Sequence, residues 1–379
     1  MNLLNSFGWQ LFCQSLPTPP QSQESPQDVL SKTALVEGAL PPGIVPARVL
    51  RQERDLYHVV TARGERLALL AGRLRHETQR PGALPVPGDW VAVRAPAGDR
   101  ATIQGCLPRQ NALLRKAAGG ANVQALAANV DAALVVTAPD HDLNPRRLER
   151  YLAMVRAGGV APHVVLNKVD LYPDEGARLD ALEEELGRMA PEVPIHRVSA
   201  HTGLGVEALL EQAFGPGRSV AVIGSSGVGK STLCNQLFGS ELQSTGAERT
   251  SDSRGRHTTT RRDLLLLPSG LGVVVDTPGL RELGLWEGSG IDATFPELAE
   301  VAKSCRFRDC KHQGEPGCAV EEALIEGDLE EERVLGYEKL KREVARRTRR
   351  QGKAEADRER QRGRKRAPRR ARSARRQDW

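Results

Sequence analysis

The octapeptide GSSGVGKS at residues 224–231 restricts the fold more than any other feature of this 379-residue chain. It matches G-x-x-x-x-G-K-S, follows the apolar run VAVI and opens the helix-like stretch STLCNQLF. Phosphate binding needs that strand–loop–helix context. Glycines let successive backbone N–H groups turn toward a phosphate, and a helix N-terminus adds positive potential. Gly224, Ser225, Ser226, Gly227, Val228, Gly229 and Thr232 are therefore expected around the phosphates. Lys230 is expected to reach the β- and γ-phosphates, and the Ser231 hydroxyl to ligate Mg²⁺. A plain glycine-rich turn would not need Lys-Ser at its end.

Two downstream segments extend this reading. LGVVVDTPGL is a strand that ends at Asp276, followed by Thr277-Pro278-Gly279. An acid at that strand tip can hold a water of the Mg²⁺ shell, and the Gly279 N–H can meet the γ-phosphate. Between the two lies SRGRHTTTRRD, a polar segment suited to a γ-phosphate-sensing switch. Thr258, in the pattern Gly255-x-x-Thr258, is the candidate switch hydroxyl for Mg²⁺.

A second signature lies upstream, in HVVLNKVD at residues 163–170. Guanine offers N1–H and an N2 amine that one carboxylate can accept together, and adenine has no such pair. Asp170 is placed for that contact, Asn167 for the O6/N7 side, and Lys168 for laying its stem over the ring. VSAHTGLG supplies a Ser199-Ala200 turn whose backbone N–H can also meet O6. Alone, Asn-Lys-x-Asp is a weak signal; with the second turn and the phosphate loop it specifies GTP over ATP. The order is inverted, because Asn167 stands 57 residues ahead of Gly224. A sheet can survive such reordering if its strands are entered at another point and the old ends are joined, since termini of compact domains often lie close together. GVEALLEQAF with the short GPGRS is the expected joint.

The fold class expected is α/β, a circularly permuted P-loop GTPase domain between a small β-barrel and a helical metal-binding region. Residues 1–44, rich in Pro, Ser and Gln, read as a flexible extension. Residues 45–112 hold short alternating runs bounded by Gly, Pro or Asp, which point to a five-stranded OB-like barrel. From 113 to 285 apolar strands alternate with amphipathic helices, as in crossover units of a parallel sheet. Residues 286–345 turn helical and bear CRFRDCKHQGEPGC. Cys305, Cys310, His312 and Cys318 form a closed Cys₃His set suited to structural Zn²⁺, with no open position for catalysis. Cys13, Cys106 and Cys234 stand apart as ordinary thiols.

Residues 346–379 form an Arg-rich tail. From Lys341 onward there are 18 Lys/Arg against 5 Asp/Glu, so the overall charge of +6 conceals a body of −7. Such a run suits a polyanion, because each neutralised phosphate releases condensed counterions. Aromatic residues at 4% are too few for wide base-stacking platforms. No apolar run approaches the roughly 20 residues of a membrane span, and the N-terminus lacks the cationic start of a secretory signal. A cytoplasmic monomer is expected.

The motif order NKVD, SAHTG, GSSGVGKS, GRHTTT, DTPG, behind a barrel with GDWV and before the Cys/His cluster, resembles the ribosome small subunit-dependent GTPase A family over about residues 45–345. The resemblance implies an OB-fold, a permuted G domain and a zinc-binding domain with the same four ligands. It also implies GTP hydrolysis to GDP stimulated by the small ribosomal subunit and its rRNA during late maturation. Leu280 follows D-x-x-G where many GTPases place a water-orienting Gln, so intrinsic turnover should be slow. His257 resembles the family's candidate for that role, which with Lys230 and Thr258 completes the expected catalytic set. The alternative is a GTP-binding RNA scaffold without stimulated turnover. A P-loop kinase is disfavoured by NKVD.

Overall fold

A computed structural model describes residues 3–15, 41–77, 84–96, 98–116, 123–140, 143–239, 263–276 and 289–366. The alternating runs of the first third become strands β1 (Ile44–Glu53), β2 (Leu56–Thr61), β3 (Gly64–Leu70), β4 (Trp90–Arg94) and β5 (Arg100–Cys106). The first three form an antiparallel meander, β3 and β5 pair in parallel, and β4 closes back onto β1. The cyclic order β1-β2-β3-β5-β4 is that of an OB-like barrel, closed where β4 pairs with Ile44–Arg48 of β1. Alternate residues fill the interior, with Val49, Tyr57, Val59, Val91, Val93 and Ile103 sharing one apolar cluster.

A hairpin of β6 (Ala112–Lys116) and β7 (Val123–Ala128) leads into six further strands. They are β8 (Ala132–Thr137), β9 (Ala161–Leu166), β10 (Ile195–Arg197), β11 (Ser219–Gly224), β12 (Asp263–Leu266) and β13 (Val273–Asp276). Their spatial order is β10-β9-β8-β11-β13-β12, parallel except for β12. β8 is buried along its whole length because both faces are covered. Ala133 and Val135 join the apolar cluster that includes Leu152 and Val155 of the helix Pro145–Ala157. Ala132, Leu134 and Val136 join the opposite cluster with Leu209 and Leu233. The chain builds outward from β8 to β10 and then returns to the other side of β8 with β11. That reversal creates a crevice at the carboxyl ends of β8 and β11, where open α/β sheets bind ligands.

The expected division of the ends needs two corrections. Residues 3–15 are not a loose extension, because Leu3–Ser6 and Trp9–Ser15 form helices packed on the body. Leu4, Phe7 and Phe12 are buried, and Trp9 meets Trp90 edge-on at 4.8 Å. The close fit depends on Gly8, at φ +88°, where a Cβ would lie 2.3 Å from the Gly217 carbonyl oxygen in the joint. The buried guanidinium of Arg48 secures this region by donating to the carbonyls of Phe7, Gly88 and Asn129. Residues 16–40 lie outside the described residues.

At the other end, the helices Ser289–Thr294, Pro296–Ala302 and Ala319–Glu326 precede a single helix, Glu331–Arg366. It runs through the boundary drawn at residue 345. Arg, Lys, Glu, Gln and Ala are strong helix formers, and Gly352 and Gly363 cost only about 1 kcal/mol each. Val334, Tyr337 and Leu340 bury its first turns. Arg333, held 2.9 Å from the buried carboxylate of Glu149 and stacked 4.5 Å from the Phe295 ring, pins the helix to the G domain. Removing one partner of such a buried pair costs about 3–5 kcal/mol. Among the described residues no helix is long and apolar enough to cross a membrane.

Candidate nucleotide site and metal knuckle

Parallel strands end at one edge, so the loops after β9, β10 and β11 gather there despite their scrambled order. Asn167 connects all three. Its Nδ2 donates to the Val228 carbonyl at 2.8 Å, and its Oδ1 accepts from the Ala200 N–H at 2.9 Å. The backbone N–H of Asn167 is itself anchored on the Thr137 carbonyl at 2.9 Å. Both polar atoms of this side chain, 1% exposed, therefore serve the scaffold. This alters two expectations. Asn167 is a clamp first, with only the second N–H of Nδ2 left for a base. In the Ser199-Ala200 turn expected at guanine O6, the Ala200 N–H goes to Asn167 and the Ser199 N–H to the Leu204 carbonyl at 2.9 Å.

The rest of the upstream pair lies at the same edge. Lys168 adopts φ +64° and its Nζ sits 3.5 Å from Asp140, which steadies the side chain expected over the base. Asp170 occupies the short turn Val169–Leu171 and is partly exposed. Ser199 is fully buried, and its Oγ accepts the Thr202 N–H at 3.1 Å, so it shapes the turn. Asp140 escaped sequence reading; its only signal was an acid in the turn beyond a buried parallel strand.

The phosphate loop folds as its glycines require. Gly224, Gly227 and Gly229 all have positive φ. At Gly229 a Cβ would lie 2.4 Å from Asn167 Nδ2, so the clamp itself excludes a side chain there. Ser225, Ser226 and Val228 fill the turn, and Lys230 donates from Nζ to the Ser225 carbonyl across it. Ser231 and Thr232 form the first turn of the helix Lys230–Phe238 and are partly buried. Asp276 ends β13 beside β11. His257, Thr258 and Gly279 lie outside the described residues.

The cysteine-rich segment folds into a knuckle. The ligand atoms of Cys305, Cys310, His312 and Cys318 all lie within 4.8 Å of one another. His312 Nδ1 is 3.6 Å from Cys305 Sγ and 3.4 Å from Cys318 Sγ. Bond lengths for Zn²⁺ give tetrahedral edges of about 3.5–3.8 Å, so the donor set fits that ion as a closed structural site. The carboxylate of Glu315 shapes the knuckle by accepting the N–H groups of Lys311 and Gln313 at 3.0 and 2.7 Å. Burial, reinforced by Lys341, lowers the pKa of His312 and favours the neutral imidazole that a metal needs. Cys318 occupies the N-cap position of the helix Ala319–Glu326, which ties the knuckle to that helix. Away from the knuckle, burial raises the Cys13 thiol and pushes Cys106 up to about 12.

Residues 106–286 match the family described as RsgA GTPase. The chain is 48% identical over 322 residues to the small ribosomal subunit biogenesis GTPase RsgA of Opitutus terrae, covering 81% of this chain and 85% of that one. It is 39% identical over 348 residues to the protein of the same name from Leptospira interrogans, covering 90% and 89%. The crystal structure of YjeQ from Thermotoga maritima superposes with a TM-score of 0.59 at 28% identity, covering 80% of this chain and 99% of that one. The fold is likewise shared with YloQ, a circularly permuted GTPase, at 22% identity and a TM-score of 0.57. An inverted motif order joined by one asparagine, extensive identity and a shared permuted fold lead to one conclusion: this chain is a GTP hydrolase and belongs to the RsgA GTPase family.

Proposed function

We propose that the chain binds GTP with Mg²⁺ in the crevice between β8 and β11 and hydrolyses it on the small ribosomal subunit during late maturation. The observation that carries the reading is the Asn167 bridge from the base-reading loop to both Val228 and Ala200. Asp170 accepts guanine N1–H and the N2 amine, and Lys168 lies along the ring. Backbone N–H groups from Gly224 to Gly229 surround the β-phosphate, with Lys230 turning from Ser225 to the β- and γ-oxygens. Ser231, Asp276 and Thr258 hold Mg²⁺ and its water, Gly279 meets the γ-phosphate, and His257 orients the attacking water. Small-subunit biogenesis in the names of the Opitutus and Leptospira relatives supports the site of action.

Zn²⁺ in the Cys₃His knuckle fixes a loop that carries Arg306, Arg308 and Lys311 toward rRNA. The barrel provides a second grip, and the Arg-rich end an electrostatic anchor. The test is GTP turnover by the purified full chain with and without small subunits. Turnover should be slow alone and rise sharply with subunits. Tight GTP binding with no acceleration would make the chain a scaffold and contradict the reading.

A further inference from the structure

The barrel and the G domain share one continuous sheet, and the seam rests on little backbone. Among the described residues, the single register pair between β1 and β12 is Arg51 with Asp263. β1 carries a bulge at this point, with register running Val49 to Val59 and then Arg51 to His58. A bulge re-aims the side chains around it. Here Leu50 shares an apolar cluster with Leu264, while Arg51 meets the Asp263 carboxylate with both Nε and Nη2, the latter at 2.9 Å. A forked guanidinium–carboxylate pair fixes orientation as well as distance.

Asp263 is also the register partner of Asp276. Because β12 and β13 run antiparallel, the first residue of one strand lies beside the last residue of the other. The clasp therefore sits at the nucleotide edge, one strand from the acid assigned to the Mg²⁺ shell. Arg51 has a second acid nearby on its own strand, Glu53, whose Oε1 is 3.6 Å from Nη1. One carboxylate belongs to the barrel and the other to the G domain. Arg51 engages both at once through different nitrogens, so it ties the barrel strand directly to the G-domain strand.

We propose that the Arg51–Asp263 clasp is the positioning contact through which a barrel docked on the small subunit sets the β12–β13 strand ends and accelerates GTP hydrolysis. This rests on the subunit-dependent turnover proposed above. Both side chains are partly exposed, at 28% and 21%, where an ion pair adds little stability. A merely structural role would shift thermal stability slightly and leave stimulation intact.

The experiment compares the full-length wild type with Arg51→Gln, Arg51→Lys and Asp263→Asn. Subunit binding by co-sedimentation, basal turnover and stimulated turnover are measured for each. Binding and basal turnover should hold, while stimulation falls by about 5- to 150-fold, the usual span of an allosteric coupling. Arg51→Lys should lie between wild type and Arg51→Gln, since an ammonium keeps the charge but loses the fork. If Arg51→Gln fails to fold, the near-isosteric Asp263→Asn decides. Variants stimulated as fully as a stimulated wild type would overturn the clasp alone. Equal losses of basal and stimulated turnover would mean general damage to the nucleotide site rather than lost coupling, and would also overturn it. A wild type that subunits do not stimulate would overturn both this proposal and the ribosomal reading.

Discussion

Single residues set the geometry that the motifs only name. Gly229 is required twice, by φ +91° and by a Cβ position 2.4 Å from Asn167 Nδ2. Gly229→Ala should weaken GTP binding by more than tenfold, from strain of about 1–3 kcal/mol and displacement of the clamp. Titration calorimetry reads the affinity, and circular dichroism should show the fold retained. A second pair of residues responds to pH. His163 and His196 are buried on β9 and β10 with Nδ1 and Nε2 3.0 Å apart. Burial, with neighbouring positive charge, pulls His163 down to about 4. The unfolded chain then binds more protons between about pH 6.5 and 4, so this group's contribution to stability is lost as pH falls through that window. The drop in urea midpoint between pH 7.5 and 5 should be smaller in His163→Leu than in the wild type. Equal drops would place the titrating groups elsewhere.

Among the elements, the terminal helix differs most from its sequence reading. Its composition predicts an Arg-rich tail from residue 346, yet its backbone remains helical to Arg366. At 100° per residue, Arg342, Arg346, Arg349, Lys353, Arg360 and Arg364 fall within one arc of about 60°, with Asp357 at its edge. The buried Tyr337 and Leu340 lie about 150° from the centre of that arc, on the opposite side. If this stripe follows an RNA backbone, changing Lys353, Arg360 and Arg364 to Gln should reduce the slope of log affinity against log salt by about 2–3. The same charge loss at Arg358, Arg362 and Lys365, on another face, should change it less. Equal effects would reduce the helix to diffuse charge. The N-terminal helices teach the converse lesson. LLNSFGWQLF is apolar enough to fold, but its partner Trp90 lies about eighty residues away, and local pattern carries no record of that contact.

For the whole molecule, legibility followed locality. GSSGVGKS, NKVD and the Cys/His segment are contiguous, and each chemistry fits within a few residues, so these were readable. The permutation was also readable, because inverted motif order leaves a trace in the chain. What could not be read is how segments share atoms. The Asn167–Val228 bridge spans 61 residues and gives an expected base-reading group its scaffold role. The Arg51–Asp263 contact spans 212 and joins two domains that look separate in the sequence.

In the proposed complex these distant segments surround one guanine nucleotide, with Asp170 reading the base. Nucleotide titration of the wild type and Asp170→Asn with GTP, ATP and xanthosine triphosphate tests it directly. Xanthine replaces the N2 amine with a carbonyl, which an Asn amide can serve and a carboxylate cannot. The wild type should prefer GTP over both others by at least about 100-fold, and Asp170→Asn should lose GTP and gain xanthosine triphosphate. Equal binding of ATP by the wild type, or undiminished GTP binding by Asp170→Asn, would contradict the account.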